Sequence, residues 1–163
     1  WNNMPERNPR QKKFYWKGWK TTMAKVAVVF WTQGGHTETM ANAVAEGAKG
    51  KGAEVSVLFC SEFHADQVSR YDAIAFGCPA IGSEVLEETE FQPMWDACSM
   101  KLGGRKIGLF GSYGWRVGEW MDNWKAAADD SGAGVVQTVA LQEDTIDDNL
   151  KLCRALGEAL ASC

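Results

Sequence analysis

FWTQGGHTETMA, residues 30–41, joins two segments of opposite character. Upstream lies an unbroken apolar run, Val26-Ala27-Val28-Val29-Phe30, of the kind that forms a strand buried on both faces. Downstream, Met40, Ala41, Val44, Ala45 and Ala48 recur at helical spacing, which predicts a helix with one apolar face. Between them stand Gly34 and Gly35, with the hydroxyls of Thr32 and Thr37 on either side. A strand, a glycine loop and a helix in direct succession turn hydroxyls and backbone N–H groups toward the positive end of the helix, where an anion binds.

The alternation continues to the C-terminus. Strands are expected at Lys25–Trp31, Glu54–Phe59, Ala73–Cys78, Lys106–Gly111 and Val135–Leu141. Helical patterns separate them at Glu38–Lys51, Ala65–Arg70 (short), Phe91–Leu102, Glu119–Ser131 and Asp147–Ser162. Short apolar strands alternating with one-faced helices predict an α/β fold, a three-layer sandwich around a five-stranded parallel sheet with right-handed crossovers. Ligands of such sheets bind beyond the carboxyl ends of the strands. Three loops therefore matter most: TQGGHT (32–37), CPAIGSEVLEETE (78–90) and SYGWRVGE (112–119).

The totals narrow the function classes. The chain has 163 residues, enough for one domain with a full core. Five cysteines, with no CxxC spacing, read as reduced thiols, and Cys78 and Cys98 as core residues. Two histidines, His36 and His64, without ligands at metal spacing, predict no metal centre. No apolar run reaches bilayer length and no signal-peptide pattern occurs, so a cytoplasmic protein without membrane insertion is expected. Residues 1–22 carry six Lys/Arg against Glu6 alone, whereas the rest carries eleven against twenty Asp/Glu, a net of −9. An acidic body excludes nucleic acid and favours basic partners. The first 22 residues, basic and aromatic, divide from a domain at 23–163. They read either as a leader ahead of a natural start at Met23, or as an arm that lies on the acidic body or reaches an anionic partner. No GxGxxG follows any strand and no Walker lysine stands in the first loop, so a nicotinamide or P-loop nucleotide site is not expected.

At WTQGGHTE (31–38), GCPAIGSEVLEE (77–88) and GLFGSYGWRVGEWM (108–121) the chain resembles the short-chain flavodoxins of the anaerobe type, small electron carriers that bind FMN noncovalently. The resemblance covers Met23 to the C-terminus and implies the strand order 2-1-3-4-5, which is taken over from the family and not read from periodicity. It implies that Thr32 and Thr37 place hydroxyls on the FMN phosphate, with the backbone of Gln33, Gly34, Gly35 and His36 lining the cradle. It implies that Pro79, Ala80, Ile81, Gly82, Ser83 and Glu84 meet the flavin, the Gly82 carbonyl accepting the proton at N5 and Glu84 the N3–H. Ser112, Tyr113, Gly114, Trp115 and Gly118 complete the cofactor set, with Trp115 stacked on the ring. No catalytic residue is implied. The expected function is low-potential electron transfer between semiquinone and hydroquinone, by a monomer serving redox partner proteins with a basic surface. Glu84, Glu87, Glu88, Glu90 and Glu119 would disfavour an anionic reduced ring and steer such a partner. Read without the resemblance, Trp115 is equally a packed surface aromatic and the Glu84–Glu90 run a solvated helix start.

The chain departs from the family pattern in the first loop, where serine or threonine, glycine, threonine, glycine, asparagine, threonine is usual. Gln33, Gly34 and His36 replace the second, third and fifth members. Gly34 removes a hydroxyl, and a lost hydrogen bond to a charged group is worth about 1.5–3 kcal/mol, while His36 restores a donor. Ile81 stands where methionine often flanks the ring, and Arg116 and Val117 replace a glycine and a small or acidic residue in the third loop. An alternative function follows from these changes: a flavodoxin-like binding module with weak or different flavin preference.

Overall fold

The computed structural model describes residues 23–82, 85–114 and 118–163. Five strands form one parallel sheet: β1 (Lys25–Phe30), β2 (Glu54–Phe59), β3 (Ala73–Gly77), β4 (Lys106–Tyr113) and β5 (Gly134–Gln142), in the order β2-β1-β3-β4-β5. The α-helices are α1 (His36–Gly50), α2 (Phe91–Ser99), α3 (Glu119–Asp130) and α4 (Leu150–Ala161). This is the expected α/β sandwich, with the expected strand order.

The period-two alternation of β1 divides the core. Val26, Val28 and Phe30 join Met40, Val44, Cys153, Leu156 and Leu160 on the α1/α4 side. Ala27 and Val29 join Phe91, Trp95, Trp120 and Trp124 on the α2/α3 side. A strand buried on both faces has no polar side to show, which is why its sequence is a continuous apolar run. On the second face Trp95 and Trp124 meet edge to face with centroids 5.6 Å apart, and Phe91 meets Trp124 likewise at 5.5 Å, an arrangement that sets the positive ring edge on the negative face.

α1 and α4 approach until their backbones touch. A Cβ on Gly47 would lie 1.9 Å from the Arg154 carbonyl oxygen, and one on Gly157 would lie 1.9 Å from that of Val44. The two glycines thus interlock, each letting the opposing helix in.

Several elements differ from expectation, and α2 ends at Ser99 rather than Leu102. α1 begins at His36 rather than Glu38, which brings Thr37 into its first turn. β4 runs past Gly111 to Tyr113, so Ser112 and Tyr113 are strand residues and not loop residues. The Ala65–Arg70 segment is a 3-10 helix. The last helical pattern opens with a 3-10 turn at Asp147–Asn149 before α4 begins at Leu150. All five cysteines are free, four of them buried.

Candidate functional site

The loop after β1 closes on its own side chains and backbone. The Thr32 hydroxyl accepts the Gly35 N–H at 3.1 Å, and Gly35 takes the left-handed conformation (φ 93°) as the N-cap of α1. A side chain is strained at that φ, so glycine stands there. The Gly35 carbonyl then accepts the N–H and the hydroxyl of Thr39, both at 3.0 Å. Gly35 has no side chain to offer, so α1 begins without a side-chain cap. The N–H groups of its first turn are left for a ligand, at the end where the helix dipole favours negative charge.

Two further segments face this helix end. Ser112, near the end of β4, lies with its hydroxyl 3.3 Å from that of Thr37, and each residue is 1% exposed. The chain leaving β3 keeps pairing with β4, through Cys78 N–H to the Phe110 carbonyl at 3.1 Å and Ala80 N–H to the Ser112 carbonyl at 2.9 Å. Trp120 adds its indole N–H to the Cys78 carbonyl at 3.3 Å. Pro79 and Ala80 are thereby laid beside Ser112.

Together these segments enclose a cavity of about 390 Å³, lined by Thr32, Gln33, Gly34, His36, Thr37, Pro79, Ala80, Ile81, Ser112 and Glu143. Nine of the ten are residues that the sequence singled out. Glu143 is the exception: it follows β5 and reaches the cavity only because β5 lies beside β4. Of the other expected residues, Gly35 shapes the loop, Tyr113 packs against Trp120 with centroids 5.6 Å apart, Gly114 and Gly82 are exposed, and Gly118 precedes α3. Ser83, Glu84 and Trp115, with Arg116, Val117 and the arm at 1–22, lie outside the described residues. The described residues therefore cover the part of the expected site next to the start of α1.

The acidic residues nearby are not alike. Glu88, Glu90 and Glu119 are exposed, but Glu87 is 7% exposed and is no surface charge. Burial pushes its pKa up, yet hydrogen bonds from Thr89, Phe91 and Glu90 outweigh it and hold the carboxyl down at about 2. Burial alone pushes the Cys98 thiol up to about 11, and burial is the chief cause for Cys60 and Cys153, each at about 12. Such thiols are unreactive at neutral pH. No cluster of metal-ligating side chains occurs among the described residues, nor is any helix there long and apolar enough to cross a membrane.

A cradle with an uncapped helix start, three converging hydroxyls and a half-apolar wall fits a phosphate ester with a polyhydroxyl chain. Residues 28–157 match the Flavodoxin family model. The chain is 44% identical over 136 residues to a flavodoxin of Megasphaera elsdenii, covering 83% of this chain and 98% of that one. It is 36% identical to a flavodoxin of Clostridium beijerinckii over similar shares. Among solved structures, two-electron reduced Megasphaera elsdenii flavodoxin superposes with a TM-score of 0.80 at 43% identity, covering 85% of this chain and 99% of that one.

Proposed function

The chain belongs to the flavodoxin family of FMN-binding electron carriers, and on that premise we propose that the cavity at the α1 N-terminus takes the phosphate and ribityl chain of FMN. The protein is an electron-transfer protein and not an enzyme; bound FMN supplies the one-electron chemistry. The observation that carries the placement is the uncapped first turn of α1, facing the buried Thr37–Ser112 hydroxyl pair.

Each residue has a part in this reading. The backbone N–H groups at the start of α1 and the hydroxyls of Thr32 and Thr37 donate to the phosphate. His36 supplies a donor at the rim, making up in part for the hydroxyl that Gly34 lacks. Pro79, Ala80 and Ile81 shield one side of the ligand from water. Glu143, an acceptor, suits the ribityl hydroxyls and opposes the phosphate charge. Gly82, Ser83, Glu84 and Trp115 hold the ring as the family resemblance implies, and the acidic residues around them lower the reduction potential. The excess of carboxylates in residues 23–163 steers a redox partner with a basic surface, and the carrier works as a monomer in the cytoplasm.

The reading is tested by a reductive titration of the FMN-loaded protein against dyes of known potential. The lower midpoint potential is expected to fall below that of free FMN. A value at or above that of free FMN would overturn the low-potential role.

A further inference from the structure

We propose that Glu87 is a positioning residue for the cofactor, its carboxylate fixing the loop that faces the flavin ring to the N-terminus of α2. The proposal rests on the placement of FMN above and concerns the ring half of that site.

The loop leaves β3 at Cys78 and returns toward α2 as a single antiparallel bridge. Ile81 N–H donates to the Val85 carbonyl at 2.9 Å, and Val85 N–H to that of Ile81 at 3.0 Å. Two hydrogen bonds do not hold an isolated hairpin in water, so its limbs need anchors. The outgoing limb has them in β4 and Trp120, as described above. On the returning limb Val85 is 41% exposed and anchors little.

Glu87 comes two residues later, and all its polar groups are engaged. One carboxylate oxygen accepts the Glu90 N–H at 2.8 Å and the Phe91 N–H at 2.9 Å. The other accepts the Thr89 N–H at 2.9 Å and the Thr89 hydroxyl. Its carbonyl accepts the Gln92 N–H at 2.8 Å. Its own N–H donates to Cys78 Sγ at 3.5 Å, which ties the returning limb to the outgoing one. The junction also reaches the phosphate loop, because Glu90 accepts the Trp31 indole N–H at 3.1 Å, directly before Thr32.

The four donors to the side chain require an acceptor-only group. A glutamine of the same shape turns an NH2 against N–H donors and leaves buried groups unpaired. A helix cap that only stabilised α2 would alter melting and nothing else. A positioning residue also alters affinity for the ring.

The test compares Glu87→Gln, Glu87→Asp and Thr89→Ala with the parent chain, using lumiflavin, riboflavin and FMN as probes and hydrogen exchange of the flavin-free protein. Expected for Glu87→Gln are a tenfold or greater loss of affinity for all three flavins by a common factor, and faster exchange at amides 80–86 with amides 36–39 unchanged. Should Glu87→Gln fail to fold, Glu87→Asp, which keeps the charge but shortens the reach, is expected to show the same pattern to a smaller degree. Thr89→Ala, which keeps the carboxylate and its backbone bonds, is expected to lose less than threefold. If the parent binds flavin and the Glu87 variants bind it equally, with unchanged exchange at 80–86, this proposal falls while the placement of FMN stands. If the parent binds no flavin, both fall.

Discussion

At the floor of the cavity the Thr37 hydroxyl is buried and has Ser112 as its neighbour at 3.3 Å. With the Ser112 hydroxyl donating to it, Thr37 keeps its own proton for a phosphate oxygen in the proposed site. Thr37→Ala should weaken FMN binding about ten- to a hundredfold and leave riboflavin binding almost unchanged, measured by calorimetry. Glu143 acts in the opposite sense. Removing a carboxylate from beside a dianion relieves about 1 kcal/mol at low salt, so Glu143→Gln should tighten FMN roughly fivefold and not riboflavin. Glu87 sets a pH dependence. Its folded value of about 2 lies below the ordinary 4.5, so its contribution is complete above about 4.5 and fades as pH falls toward about 2. Glu87→Gln should be less stable than the parent at neutral pH, by about 0.5–2 kcal/mol, and denaturant titrations should show the gap closing through that window. Thr32, His36 and Thr37 were legible because they follow one strand directly. Glu143 was not, since its place depends on which strands are neighbours. The burial of Glu87 was hidden too, because a run of glutamates reads the same whether one of them caps a helix or all are solvated.

At the scale of elements, the α1–α4 crossing makes a prediction that reverses an ordinary rule. Alanine for glycine inside a helix usually stabilises by about 0.8–1 kcal/mol. At Gly47 or Gly157 the new methyl meets a carbonyl oxygen of the opposing backbone at 1.9 Å, which only a helix shift relieves. Gly47→Ala should therefore destabilise by about 1–3 kcal/mol, whereas Gly50→Ala, at the open end of α1 with nothing within 4 Å, should be neutral or stabilising. Chemical unfolding of the two variants decides this. Hydrophobic periodicity located every strand and α-helix, but it did not locate their ends. β4 continues through the polar Ser112 and Tyr113 because β5 pairs with it as far as Gln142. α4 starts late because Ile146 and the 3-10 turn after it close the preceding loop first. Both limits come from tertiary partners, to which a local pattern is blind.

For the whole molecule, alternating strands and helices in the sequence imply the layers, but the order β2-β1-β3-β4-β5 was accessible only through the three family loops. Those loops also separate what is common from what is particular here. The second and third loops carry most of the resemblance despite Ile81, Arg116 and Val117, while Gln33, Gly34 and His36 change the first loop and leave α1 starting at His36 behind the left-handed Gly35. A ligand that binds only the folded chain stabilises it by mass action, about 2.7 kcal/mol at a hundredfold excess over its dissociation constant, so FMN should raise the melting temperature by several degrees. The most direct test of the central claim is a fluorescence titration of flavin-free protein with FMN and, in parallel, riboflavin. The account predicts saturable quenching of FMN with one site per chain and at least tenfold tighter binding than riboflavin. Unquenched FMN at micromolar protein, or riboflavin bound as tightly as FMN, would contradict it.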